Sequence, residues 1–230
     1  MSKADTSSTA VRVLSAIPYF AELDAQLLQM LARAAVRHTY EPSEVVFLEG
    51  EPCAGLFIAE SGWLKSVKMS PEGREQIIRL VGPGEVFNEI GTLLGSSNLV
   101  TVIALERSVV WVIQCQTFLQ LLDQYPPLAR IITQNLAKRV LNLLNLVEDL
   151  SLRPVESRLA RLLLEQSSNG KVRRHRWATQ AELAARLGTV PDVLNRALRS
   201  LVEENLIEVE RHQIRILDRQ GLETKAKGGV

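Results

Sequence analysis

Between about His38 and Val112 the sequence is cut into short β-rich stretches by regularly spaced turn signals, and this pattern limits the fold more than any other feature. Val45-Val46-Phe47, Gly55-Leu56-Phe57-Ile58, Trp63 to Val67, Ile77 to Leu80, Val100 to Ala104 and Val109 to Ile113 carry the β-branched and aromatic residues. Glu49-Gly50-Glu51-Pro52, Glu60-Ser61-Gly62, Pro71-Glu72-Gly73 and Gly82-Pro83-Gly84 interrupt them about every 8 to 12 residues. Punctuation this regular predicts an all-β barrel or sandwich, here a jelly roll.

Helical periodicity flanks this region on both sides. Leu14, Ile17, Phe20, Leu23, Leu27, Leu28 and Leu31 recur at near-helical spacing with Pro18 as a break, which predicts short helices. Leu128 to Leu152 reads as one long helix opened by Pro126-Pro127. Along it Ala129, Thr133, Leu136, Val140, Leu143, Val147 and Leu150 alternate steps of four and three, the seam of a two-stranded coiled coil. Leu141, Leu144 and Leu146 widen that stripe, so one face can pack on the chain's own barrel while another meets a partner. Pro154 ends the helix, and an amphipathic helix runs from Val155 to Gln166.

A length of 230 residues with 46% apolar content suits two domains, each with its own core. No apolar run approaches the roughly 20 residues that span a bilayer, and Met1 to Ala10 is polar, so a cytoplasmic chain with no membrane partner is expected. Cys53 and Cys115 lie far apart in strand-like segments and read as buried small hydrophobes, neither a disulfide framework nor a metal cluster. The net charge of +1 conceals an asymmetry: residues 1–152 hold 12 Lys/Arg against 16 Asp/Glu, whereas residues 153–230 hold 15 against 10. A basic C-terminal third is the electrostatic footprint of nucleic-acid binding, because neutralising phosphates releases counterions.

Within that basic third, Thr179-Gln180-Ala181-Glu182 has the form of a capping box, with the Thr179 hydroxyl accepting from the Glu182 backbone and the Glu182 carboxylate reaching back to the Thr179 amide. The helix it opens passes Leu183 and Leu187 and stops at Gly188. After Thr189-Val190 a second helix opens on Pro191, where a missing N–H costs nothing. Asp192, Asn195, Arg196 and Arg199 share one face of this second helix, and Val193, Leu194, Ala197, Leu198 and Leu201 form the opposite, apolar face. Asn205 to Val209, the turn at Arg211-His212, and Gln213 to Leu217 read as a β-hairpin, the wing of a winged helix-turn-helix.

The DNA-binding residues expected are Thr179, Gln180, Thr189, Pro191, Asp192, Asn195, Arg196 and Arg199. Arg196 is the foremost base reader, since a guanidinium in the major groove donates two bonds to guanine N7 and O6. Asp192 suits a cytosine amino group and Asn195 an adenine, while Arg199 suits either a phosphate or a solvated surface.

The whole chain, from about Ile17 to Asp218, resembles the cAMP receptor protein / fumarate-nitrate reduction regulator (CRP/FNR) family. The matching stretches are Tyr40 to Pro52, Gly84-Glu85-Val86-Phe87-Asn88-Glu89-Ile90-Gly91, Arg158-Leu159-Ala160, and Glu182-Leu183-Ala184 through Asn195-Arg196. The resemblance implies a homodimer that places two recognition helices on a palindromic operator in double-stranded DNA, with RNA polymerase as a further partner and an effector in the barrel. It also identifies candidate effector-pocket positions, Asn88, Glu89, Asn98, Leu99, Leu143 and Leu144. Of the family's cyclic-nucleotide contacts only Glu89 is present. The phosphate-binding Arg-Ser pair falls at Asn98-Leu99, and the adenine-binding hydroxyls fall at Leu143 and Leu144. A buried phosphate would lack a cation there, so cAMP is not expected. Glu89 has a second reading, as a cap for the short helix beginning near Asn88.

No cofactor is expected either. An N-terminal cysteine cluster for iron–sulfur sensing is absent from the sequence, and His38, His175 and His212 offer no pair at ligand spacing. No nucleophile-base or phosphate-cradling pattern argues for an enzyme. The expected fold class is α+β, arranged as a β-barrel sensor domain over 11–125, a dimerisation helix over 126–152 with Leu136, Val140, Leu143, Val147 and Leu150 at the interface, and a winged helix-turn-helix over 153–218. The competing function is a cyclic-nucleotide-binding-like signalling module that does not bind DNA.

Overall fold

The computed structural model describes residues 3–173 and 175–227. Two compact units divide them, one reaching to Gly73 and resuming over Ile78–Val140, the other formed by Arg74–Ile77 and the chain from Leu141 onward.

The first unit opens with α1 (Lys3–Ser15), a 3-10 turn (Pro18–Phe20) and α2 (Ala25–Ala34). Asp24 caps α2 by accepting the Leu27 N–H at 2.8 Å, which satisfies one of the donors a helix start leaves open. Eight strands follow: β1 (Ala35–Tyr40), β2 (Val45–Phe47), β3 (Gly55–Ser61), β4 (Leu64–Met69), β5 (Glu75–Val81), β6 (Val86–Phe87), β7 (Thr101–Ala104) and β8 (Ser108–Gln114), with α3 (Glu89–Leu94) between β6 and β7. They form two four-stranded sheets, ordered β1-β8-β3-β6 and β2-β7-β4-β5, which is the jelly roll. α4 (Cys115–Gln124) and the long α5 (Pro126–Leu152) complete the run.

β3 is buried along most of its length because both of its faces meet a core. Phe57 and Ala59 point between the sheets, where Phe47, Phe57 and Phe87 pack with ring centroids 5.0 to 6.2 Å apart. Leu56 and Ile58 point outward into a second cluster, built with Phe20, Leu27 and Leu31, Phe118 of α4, and Leu128, Ile131 and Ile132 of α5. A strand covered on both sides reads as a short continuous apolar run rather than an alternation, as Gly55 to Ile58 does. The apolar stripe of the N-terminal helices is thus the covering layer of one sheet. Trp111 on β8 is fully buried in the same cluster and donates its indole N–H to Glu60 at 2.7 Å.

The second unit holds α6 (Val155–Gln166), β9 (Lys171–Arg173), α7 (Gln180–Arg186), α8 (Pro191–Glu203), β10 (Ile207–Val209), β11 (Gln213–Ile216) and α9 (Arg219–Ala226). Leu159, Leu163, Ala184, Leu194, Leu201, Ile207 and Ile214 form its core. The wing is a three-stranded sheet ordered β10-β11-β9, because Val172 of the basic Lys171 stretch is buried against Ile214. Lys171 and Arg173 on either side hide that single apolar residue in the sequence.

Two expectations are corrected. The β region starts at Ala35, whose strand pairs with β8 through Tyr40, rather than near His38. Neither cysteine is a buried strand residue: Cys53 lies in the loop before β3, Cys115 begins α4, and both are half-exposed.

Candidate DNA interface and barrel site

The helix-turn-helix is fixed from both ends of α7. At its start the Glu182 N–H donates to the Thr179 hydroxyl at 3.2 Å. The reciprocal half of the capping box is replaced, since the Thr179 N–H donates to the Trp177 carbonyl at 2.8 Å. At its end Gly188 adopts φ +64°, the left-handed conformation that a side chain disfavours. The Thr189 N–H then bonds back to the Ala184 carbonyl (2.9 Å) and the Gly188 N–H to Ala185 (3.3 Å), the paired bonds of a Schellman stop. Arg158 of α6 donates to the Leu187 carbonyl and so locks the turn to the core helix. Val190 occupies the N-cap position of α8 without a side-chain cap bond, and Pro191 is its first residue.

These constraints aim one face of α8 outward. Leu194, Ala197 and Leu201 are buried beneath it, while Asp192, Arg196 and Arg199 are exposed and Asn195 is half-buried. Thr179, Gln180 and Pro191 are exposed at the two helix starts, and Thr189 is half-buried in the turn. The Thr179 hydroxyl is engaged in capping. Arg211 and His212 lie exposed at the tip between β10 and β11.

In the barrel the candidate pocket residues are already bonded to the protein itself. Asn98 is 2% exposed; its amide donates to the Leu48 carbonyl at 3.1 Å and its oxygen accepts from the Asn88 amide at 3.1 Å. Asn88, at φ +67°, also donates to the Gly55 carbonyl (3.1 Å) and the Cys53 sulfur (3.2 Å). Glu89, 2% exposed, is the first residue of α3 rather than its side-chain cap, and its carboxylate pairs with Arg139 of α5. Arg139 also donates to the Val86 carbonyl, which accepts from Arg79 at 3.1 Å.

Burial raises the Glu89 carboxyl above its ordinary value, with Arg139 opposing, and burial lowers Arg139. Burial and then the Glu89 charge hold the Tyr19 phenol protonated far above its usual range. Leu99 is partly exposed, and Leu143 and Leu144 are exposed residues of the second unit.

Residues 37–125 match the cyclic nucleotide-binding domain family, and residues 157–225 match the Crp-like helix-turn-helix domain family. The chain belongs to the CRP/FNR family. It is a transcriptional regulator with a helix-turn-helix DNA-binding domain, in a family that is regulatory rather than enzymatic.

This CRP/FNR chain is 25% identical to the CRP-like cAMP-activated global transcriptional regulator of Mycobacterium tuberculosis, across 86% of this chain and 99% of that one. It is 29% identical to the probable transcriptional regulator flp of Lacticaseibacillus casei, across 90% and 94%. Its fold matches the solved structure of FixK2 from Bradyrhizobium japonicum with a TM-score of 0.74 at 21% identity, over 85% of this chain and 99% of that one. No helix among the described residues is long and apolar enough to cross a membrane.

Sequence reasoning about this regulator missed Arg139 and Tyr19. Arg139 follows Lys138 on a helix and looks like one more solvated charge, and nothing local places it within reach of a glutamate 50 positions earlier. The one signal was Glu89 itself, an acidic residue inside an apolar stretch that required a partner.

Proposed function

We propose that this regulator binds a two-fold symmetric operator as a homodimer, with α8 of each subunit in a major groove. The supporting observation is a line of uncovered apolar side chains on α5. Val140 (56% exposed), Leu143 (42%), Val147 (60%) and Leu150 (37%) follow the four-three spacing of a coiled-coil seam. Leu136 is half-buried and packs on the barrel-side cluster, so the seam runs from Val140 onward with Leu136 at its edge. The domains assigned are a sensor barrel over 11–125, a dimerisation helix over 126–152 and a DNA-binding domain over 153–218.

Arg196 reads a guanine, Asp192 and Asn195 read neighbouring bases, and Arg199 with Thr179, Gln180, Thr189 and Pro191 flanks the groove. RNA polymerase is the further partner. The M. tuberculosis relative is described as cAMP-activated. Here the phosphate-binding position is Asn98, a neutral, buried side chain bonded to Leu48 and Asn88, and Glu89 is taken by Arg139, which supports an effector other than a cyclic nucleotide.

Selection of bound sequences from a random DNA pool tests the reading. Recovery of an inverted repeat with half-sites about one helical turn apart is expected. Recovery of no symmetric motif, with or without cell extract, overturns it.

A further inference from the structure

Cys53 and Cys115 are 62 positions apart in sequence and adjacent in space. In the antiparallel pair β3·β8, Gly55 lies opposite Gln114, so the chain entering β3 runs beside the chain leaving β8, at the roughly 5 Å spacing of paired strands. Gly55 is required for this approach: a Cβ there would lie 2.0 Å from the Ile113 carbonyl oxygen.

Both sulfurs converge on Thr92 of α3. The Cys53 sulfur is 3.6 Å from its hydroxyl, and the Cys115 thiol donates to its carbonyl at 3.3 Å. Both side chains are half-exposed, so a small solute reaches them. Both thiols are free, and neither is used by the DNA interface or the Glu89 pair.

We propose that Cys53 and Cys115 form a peroxide-oxidisable dithiol that closes to an intramolecular disulfide at the end of the barrel. The Cys53 sulfur, which already accepts the Asn88 amide proton at 3.2 Å, attacks one peroxide oxygen as the thiolate. The O–O bond breaks, Cys53 becomes a sulfenic acid, and the leaving hydroxide takes up a proton to give water.

The Cys115 thiol then gives up its proton and its sulfur attacks Cys53. The S–S bond forms, the S–O bond breaks, and the oxygen leaves as a second water. Two thiols lose two electrons and one peroxide gains them. Burial and the neighbouring Cys53 push the Cys115 thiol up, which disfavours its thiolate and leaves the first attack on peroxide to Cys53. Closure removes both S–H donors, the one to the Gly55 carbonyl at the start of β3 (3.8 Å) and the one to the Thr92 carbonyl of α3, the helix that carries Glu89.

The test treats the full-length native protein with a slight excess of hydrogen peroxide, blocks remaining thiols by alkylation, and measures intact and peptide masses. The expected wild-type result is simultaneous loss of both thiols, two hydrogens of mass, a linked pair of peptides containing Cys53 and Cys115, and full recovery with dithiothreitol. Cys115→Ser should trap Cys53 as a sulfenic acid reactive to dimedone, and Cys53→Ser should leave Cys115 alkylatable under the same treatment. Wild-type thiols that both stay alkylatable, a disulfide between two chains, or independent over-oxidation of each cysteine would each overturn the assignment. The serine variants are nearly isosteric, and matching wild-type circular dichroism shows that they report on chemistry.

Discussion

Arg139, near the middle of α5, donates to the carboxylate of Glu89, the first residue of α3, and both the charge and its partner are largely withdrawn from water. The long helix is thereby tied to the barrel at a point where its apolar residues give way to the uncovered stripe.

Removing one partner of this pair is expected to be costly. Arg139→Ala strands a buried carboxylate, a loss of roughly 3 kcal/mol, whereas Glu89→Gln leaves only a half-buried cation able to hydrate and loses less. The pH dependence follows from the raised Glu89 value. A raised acid contributes stability that is complete below its unfolded value of about 4.3 and is lost as pH rises through the folded value. Without Arg139 the largest offset to burial is gone and only the Glu89 backbone N–H and the Arg79 charge remain, so urea denaturation should show a larger defect for Arg139→Ala at pH 8 than at pH 5. A defect independent of pH would contradict this.

Arg196→Ala should relax preference at one base pair per half-site by about 1–3 kcal/mol while leaving the melting temperature unchanged, because the side chain is exposed. Arg199→Ala should instead weaken binding to all sequences and make the salt dependence shallower, the mark of a phosphate contact. Binding isotherms on single-base operator variants at two salt concentrations separate the two.

Val140→Arg and Val147→Arg place charge in the stripe at positions 56% and 60% exposed in the single chain, so the fold should persist while the dimer dissociates. Sedimentation should report a monomer with native circular dichroism, and operator affinity should fall by at least about 100-fold, since one half-site contact is lost from a coupled pair.

Gly188→Ala should cost about 1 kcal/mol or more, because φ +64° is unfavourable for a residue with Cβ, and that Cβ would sit 2.3 Å from Leu150 Cδ2 and 2.8 Å from Gln76 Oε1, with the Arg158 guanidinium that holds the turn at 3.2 Å. Operator binding should suffer beyond the stability loss, as α8 is re-aimed; thermal melts alongside DNA titrations check both.

Local rules carried much of this fold. Turn chemistry at Gly62, Gly73 and Gly84, the apolar spacing through Leu27 and Leu31, the Thr179 cap, the Gly188 stop and the Pro191 start each act within a few residues, so six of the eight jelly-roll strands, the long helix and the helix-turn-helix were legible in order, while β1 and the two-residue β6 were not. The outward face of Asp192, Arg196 and Arg199 was legible for the same reason, since helical spacing alone assigns sides.

Long-range pairing was not. β9 became a strand only because Val172 meets Ile214, the Glu182 carboxylate lost its capping role when Trp177 took the Thr179 N–H, and the Asn88 amide found its acceptor on Asn98, ten positions along the chain. Sequence alone determined most of the elements and which face of α8 turns outward, because those depend on periodicity and capping within a turn or two. Only the tertiary structure decided that Glu89 meets Arg139 and that Cys53 meets Cys115, because strand register and helix docking bring together groups whose chemistry leaves no local trace.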